Sequence, residues 1–182
     1  MVNGFTYHPD FLTTTEADQL LRNIASLSFR TETFRGRTLK RTMVCYGSDY
    51  ITARRSARNP APPIPDFLAP TRDRAAGVAG VDASTLMQAI IWRFPPKAGI
   101  DWHVDNPAFG PVVCGVSLGS PAIMHMEKAG TKICQRIDPG SLYILQDEAR
   151  YEWKHKVDAI KDERFSITFR SMMEASVRRT TP

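Results

Sequence analysis

The sequence predicts a mainly β protein of the α+β kind, a jelly roll or barrel preceded by helices, on three observations. From Thr85 to Met172, short apolar and β-branched runs recur between Gly, Pro and Asp turns, the rhythm of a two-sheet roll or barrel. Before Thr85 the pattern is helical in two places and strongly basic between them. The chain has 182 residues, 42% of them hydrophobic, and a chain of this size buries roughly 70% of its unfolded surface, enough for one core without disulfide staples. The expected organisation is a single domain over 1–182, with helices and a basic segment over 1–84, the roll over 85–172 and a tail over 173–182.

Taken in order, Thr13 and Glu16 have capping-box spacing, and Ala17, Leu20, Leu21 and Ile24 follow at i, i+3, i+4 and i+7. An amphipathic helix therefore starts near Thr14. Thr38 to Tyr46 has the composition of a strand or hairpin. Gly47 to Pro65 contains Pro60, Pro62, Pro63 and Pro65 and reads as a surface loop or lid. A second helix covers Asp66 to Ala79, with Pro70 in its first turn. The runs of the roll are Leu86 to Phe94, Ile100 to Val104, Val112 to Leu118, Ala122 to Met126, Lys132 to Ile137, Ser141 to Leu145, Tyr151 to Val157 and Arg164 to Met172.

No stretch reaches the ~18 apolar residues of a membrane span, and Met1 to Asp10 lacks the basic start and apolar run of a signal peptide. A cytoplasmic protein without membrane contact is expected. Cys45, Cys114 and Cys134 are odd in number and lack metal spacing, which suits reduced thiols in that compartment. Net charge is +5, but between Arg30 and Arg58 eight basic residues face only Glu32 and Asp49, so that segment carries +6. A polyanion such as nucleic acid would bind such a segment, and a solvated basic edge accounts for it equally well.

His103 and Asp105 are two apart in an expected strand, so both side chains point to one face. If His155 closes the set, two imidazoles and a carboxylate cover one face of an octahedron and leave three positions open, as in non-haem Fe(II) oxygenases. A lone His-x-Asp is weak, and a strand histidine is more often structural. In the last strand, Arg164, Ser166, Thr168 and Arg170 alternate strictly with Phe165, Ile167 and Phe169. For an isolated segment this reads as a surface strand with its polar face in water. If that face instead lines the metal cavity, its guanidinium groups need an anionic partner, and a dicarboxylate would supply one.

The ordered set Trp102-His103-Val104-Asp105, Phe109-Gly110-Pro111, Ser117-Leu118-Gly119-Ser120-Pro121, Gly140-Ser141-Leu142, Ala149-Arg150-Tyr151-Glu152-Trp153-Lys154-His155 and Arg164 through Arg170 resembles the AlkB family of Fe(II)- and 2-oxoglutarate-dependent dioxygenases. It runs from about Leu86 to Met172, with a looser likeness in the Thr14 helix and the Arg41 to Tyr50 segment. The resemblance implies a double-stranded β-helix core and an iron held by His103, Asp105 and His155. It further implies that Arg164 grips the distal carboxylate of 2-oxoglutarate and that Arg170 lies nearer the metal, with Ser166, Thr168, Trp92 and Phe94 around the cosubstrate. In the family's chemistry O2 and 2-oxoglutarate yield succinate and CO2 while an N-alkyl carbon is hydroxylated and then lost as formaldehyde.

Three positions depart from the family pattern. Trp92-Arg93-Phe94 stands where Asn-x-Tyr is common, Ser166 where an Asn often follows the first Arg, and Pro107 where some DNA-repair members carry an acid against the base. For the substrate, the resemblance points to Tyr50, Arg54, Arg55 and Arg58 as cover for an extruded base, with Pro107 and Lys128 beside it. An aromatic beside cations suits that role, since stacking contributes ~1 to 3 kcal/mol per base. His125 reads as structural, Trp92, Trp102 and Trp153 as core or cavity wall, and Asp147, Glu148 and Glu152 as a solvated turn.

The leading expectation is a monomeric dioxygenase that demethylates N-alkylated bases in DNA or RNA, single-stranded for preference. Oxidation of a protein side chain or an RNA-modification step is the second enzyme reading. A catalytically silent nucleic-acid-binding module that keeps the roll belongs to another class, and a zinc hydrolase on the same three ligands would leave the two-arginine strand without a purpose.

Overall fold

The computed structural model describes residues 2–51 and 56–172. The N-terminal part runs β1 (Phe5–His8), α1 (Thr14–Ala25), β2 (Arg30–Phe34), β3 (Arg37–Tyr46), β4 (Ser48–Ile51), β5 (Ser56–Pro60) and α2 (Ala69–Ala79). The capping box of α1 forms: Glu16 N–H donates to Thr13 Oγ1 at 3.2 Å, and Glu16 Oε2 accepts from Thr13 N–H at 2.8 Å. Leu20 and Ile24 on its inner side are buried, about 1.5 to 3 kcal/mol of transfer free energy each. A short 3-10 turn over Asp66–Leu68 leads into α2, whose Pro70 occupies the first turn as expected.

The roll follows as β6 (Gln88–Phe94), β7 (Ile100–His103), β8 (Phe109–Gly119), β9 (Ala122–Lys128), β10 (Thr131–Ile137), β11 (Leu142–Leu145), the short helix α3 (Asp147–Tyr151), β12 (Lys154–Val157) and β13 (Arg164–Met172). Its eight strands divide four and four into antiparallel sheets, β11-β8-β13-β6 and β10-β9-β12-β7, the winding of a double-stranded β-helix. The first is widened by β1 beside β11 and by β3 and β2 beside β6, giving seven strands in the order β1-β11-β8-β13-β6-β3-β2.

Strand β13 lies at the centre of the large sheet, paired with β8 on one side and β6 on the other. Its alternation is satisfied by burial on both faces. Phe165, Ile167 and Phe169 pack in a core with Leu20 and Ile24 of α1 and Ala75 and Ala76 of α2. Arg164, Ser166, Thr168 and Arg170 turn the other way, between the sheets, and are only 2% to 6% exposed. The surface-strand reading is thereby excluded. Two further apolar clusters occupy the space between the sheets, one around Val113, Met124, Met126 and Trp153, the other around Met43, Ile90, Trp92 and Phe94.

Several boundaries differ from expectation. Gly47 to Pro65 is not wholly loop, because Ser48 pairs with Pro60 and Asp49 with Asn59 in a two-stranded ribbon. Its strands are polar and brief, and its geometry is set from outside, by Gly47 N–H on the Pro62 carbonyl at 2.7 Å and by Gln88 Nε2 on the Ser48 carbonyl at 2.8 Å. Gly47 has φ +75°, and a Cβ there would lie 1.9 Å from the Met87 carbonyl oxygen. Tyr151 closes α3, so the strand expected from it begins only at Lys154. β1 and β2, not expected as strands, pair with β11 and β3. Among the described residues no helix is long and apolar enough to cross a membrane.

Candidate active site

Pairing of β12 with β7 sets His155 directly opposite His103, ring centroids 4.2 Å apart. Asp105 falls just past the end of β7, in the turn to β8 rather than in the strand as expected. Its carboxylate still comes within 3.7 Å of His103 Nε2, and ligand atoms of all three residues lie within 4.8 Å of one another. His103 Nδ1 is 2.9 Å from the Asp101 carbonyl, so the tautomer that donates there leaves the Nε2 lone pair free. Burial, reinforced by the neighbouring His103, lowers the pKa of His155 to about 4, which keeps its imidazole neutral. Burial alone would raise Asp105, but Arg170, then His155, His103 and Arg150, hold its carboxyl at about 2. Two imidazoles and a carboxylate are a donor set that Fe(II) takes, with three positions left open.

Beside this cluster, Arg164 donates from Nε to Ser117 Oγ at 3.2 Å and lies over the Phe94 ring, while Arg170 lies over the Phe109 ring with Nε and Nη1 making no hydrogen bond. Neither forms an ion pair among the described residues. Arg170 has the Asp105 carboxylate within electrostatic reach but not in contact, and a buried guanidinium such as Arg164 with no ion pair is costly unless an anion comes to it. Thr168 donates to the Ile90 carbonyl at 3.3 Å, and Trp92 and Phe94 sit opposite Ser166 and Arg164 in register.

Tyr143, which sequence reasoning passed over, enters the same space from β11. Burial raises its pKa, and Arg164, Asp105, Arg170 and Ser166 all lie close enough to act on the phenol. Gly115 opposite makes this possible, since a Cβ there would meet the Tyr143 ring at 2.1 Å. A glycine inside the run Val112 to Leu118 was the available signal, because glycine within a strand marks a close approach.

Other expected site residues fare differently. Lys128 is held between Glu148 at 2.6 Å and Glu152 at 2.8 Å, so it is an ion-paired cation, and the expected solvated acids are partly its partners. Pro107 is exposed in the turn after Asp105. His125 faces away from the metal cluster and bonds Asp158 at 2.6 Å, in keeping with a structural role. Trp92 and Trp153 are buried, but Trp102 is 40% exposed, its ring turned outward because strand alternation sends the adjacent His103 inward. Arg54 and Arg55, and the side chains of Tyr50 and Arg58, lie outside the described residues.

The sequence pattern of the 2OG-Fe(II) oxygenase superfamily matches residues 4–170, and the chain belongs to that family. Its cofactor is Fe(II), with 2-oxoglutarate and O2 as cosubstrates. Within the superfamily its sequence is similar to proteins of the AlkB type. It is 26% identical over 196 residues to the "Alkylated DNA repair protein ALKBH8 homolog" of Arabidopsis thaliana, covering 89% of this chain and 54% of that one. It is 36% identical over 96 residues to the mouse "Alpha-ketoglutarate-dependent dioxygenase alkB homolog 7, mitochondrial", covering 50% and 42%. Protein L905 of Acanthamoeba polyphaga mimivirus is 36% identical over 107 residues and half of each chain. The chain thus spans about half the length of these relatives. In fold it matches the solved structure of OsALKBH1 with a TM-score of 0.74 at 18% identity, covering 94% and 98% of the two chains. It matches a Pseudomonas putida prolyl-4-hydroxylase with a TM-score of 0.63 at 17% identity, covering 94% of each.

Proposed function

We propose that this protein is an Fe(II)- and 2-oxoglutarate-dependent dioxygenase that removes alkyl groups oxidatively from nitrogen atoms of nucleic-acid bases. The observation that carries the reading is the pairing of a His103, Asp105, His155 cluster with two buried, ion-pair-free arginines on the adjacent central strand. His103, Asp105 and His155 would hold the iron. Arg164 would hold the distal carboxylate of 2-oxoglutarate as a charge-assisted pair, with Tyr143 and Ser166 beside it and Phe94 walling the pocket, while Arg170 holds Asp105 anionic at the metal-proximal end. When bound, the iron and its cosubstrates supply the oxidation. The chain's own residues bind, orient and exclude water.

Nucleic acid is supported by the basic β2–β3 hairpin, where Arg35, Arg37 and Lys40 are exposed and form no ion pair among the described residues. The test is mass spectrometry of N-methylated DNA, tRNA and a methylated histone peptide incubated with Fe(II) and 2-oxoglutarate. Loss of methyl groups from a nucleic acid, with stoichiometric succinate and formaldehyde, is expected. Reaction of the peptide alone would move the substrate to protein, and succinate formation without any demethylation would leave only the dioxygenase class standing.

A further inference from the structure

Arg150 is the bulkiest side chain sealed inside this protein, at 1% exposure, and it forms no ion pair among the described residues. Its guanidinium donates instead to four main-chain carbonyls: Nε to Gly110 at 3.1 Å, Nη1 to Asp105 at 3.4 Å, and Nη2 to Asn106 at 2.8 Å and Phe109 at 3.0 Å. Asp105 and Asn106 lie in the turn from β7 to β8, and Phe109 and Gly110 are the first two residues of β8. Arg150 itself sits on α3, five positions before His155 in the sequence.

Carbonyl oxygens converging on one point repel one another unless a cation with several fixed donors lies between them. A guanidinium has five N–H groups in one rigid plane and here uses four; an ammonium has three on a flexible stem. A second hold on the same turn comes from Asn106, whose Oδ1 accepts from Ala108 N–H at 2.8 Å. The Asp105 segment lacks the ladder bonds of a strand; Phe109 N–H on the Asn106 carbonyl at 3.1 Å closes it from within, and Arg150 ties it to α3.

We propose that Arg150 is a positioning residue for the metal centre: by fastening the Asp105 turn to the helix that leads into His155, it sets the carboxylate at ligating distance before an ion arrives. The inference rests on His103, Asp105 and His155 being the iron ligands. It concerns metal affinity and ligand geometry, not contact with the reacting atoms.

The experiment measures Mn(II) affinity by calorimetry and the visible spectrum of the Co(II)-loaded protein, for wild type, Asp105→Ala, Arg150→Met and Arg150→Lys. Outer residues that orient metal ligands commonly control affinity by 10- to 100-fold, and a loss in that range is expected for Arg150→Lys, with a changed Co(II) spectrum and an unchanged circular dichroism spectrum. Arg150→Met withdraws its donors from all four carbonyls, so loss of its folding is a foreseeable outcome, and the lysine variant then decides. Wild-type Mn(II) affinity and Co(II) spectrum in Arg150→Lys would overturn the inference and leave Arg150 a packing residue. Equal Mn(II) affinity in wild type and Asp105→Ala would instead remove the ligand assignment on which the inference stands.

Discussion

Arginines in two regions of this molecule look alike in sequence and differ in what they are free to do. Arg30, in the basic β2–β3 hairpin, is 42% exposed and already paired, to Glu32 at 2.8 Å and Asp49 at 2.5 Å. Those are the only two acids between Arg30 and Arg58, so part of the charge excess there is neutralised internally. Arg164 and Arg170, on β13, are buried and form no ion pair among the described residues. Counting charges ranks the hairpin first, whereas burial without a partner ranks the central strand first. An anion bound at β13 meets guanidinium groups already withdrawn from solvent, whereas one bound at the hairpin competes with solvent and salt.

The comparison breaks most sharply at Asp105, whose carboxylate lies within electrostatic reach of Arg170, Arg150 and both histidines. Asp105→Ala should abolish succinate formation while the protein stays soluble, as assayed by turnover alongside size-exclusion chromatography. Next, Arg164→Ala should weaken 2-oxoglutarate binding by ten-fold or more in calorimetry, because a hydrogen-bonded charge pair contributes about 1.5 to 3 kcal/mol. Arg30→Ala should leave that affinity unchanged. Equal losses from both variants would erase the distinction between the two regions.

A smaller effect is expected at the hairpin. Replacing Arg35, Arg37 and Lys40 together by alanine should lower affinity for short single-stranded oligonucleotides with little sequence dependence, and should flatten the salt slope by roughly 0.7 for each phosphate that is no longer neutralised. Binding of 2-oxoglutarate should survive. The mildest prediction concerns acid. His155 is lowered from 6.5 to about 4 by burial, so between those values the unfolded chain holds a proton that the folded chain lacks, and metal-free protein loses stability as pH falls through that window. The slope is at most about 1.4 kcal/mol per pH unit from this group. Thermal melts of metal-free wild type and His155→Gln from pH 7 to pH 4 should diverge accordingly.

What could be read from sequence follows from where the physical cause resides. The α1 cap and stripe, Pro70 in the first turn of α2 and the alternation of β13 are local patterns, and each appears at its expected place, although α2 begins at Ala69 after a 3-10 turn and not at Asp66. β1 is held by β11, distant in sequence, and β1, β2 and the β4–β5 ribbon are each only four or five residues long, too short for their local pattern to decide. His103, Asp105 and His155 can be singled out as residue types at a spacing, and their convergence within 4.8 Å is a property of the β7–β12 pairing. The polar face of β13 looks solvent-facing because alternation reports that two faces differ, not what covers either one. Tyr143 escapes a sequence reading because a phenol in an apolar strand looks like core until the glycine across from it is taken into account.

β1 has a consequence for how this protein can be handled. It is the outermost strand of the large sheet and covers one edge of β11, whose residues Leu142, Tyr143, Ile144 and Leu145 are all buried. Tyr7 on β1 also accepts a hydrogen bond at its phenol oxygen from the Asp138 N–H at 3.1 Å. Trimming the first ten residues would uncover an apolar strand with a free row of backbone donors and acceptors, the template on which sheets of separate molecules join edge to edge. Those few residues act as a guard against aggregation, and an affinity tag placed directly against Phe5 would press on the same seam.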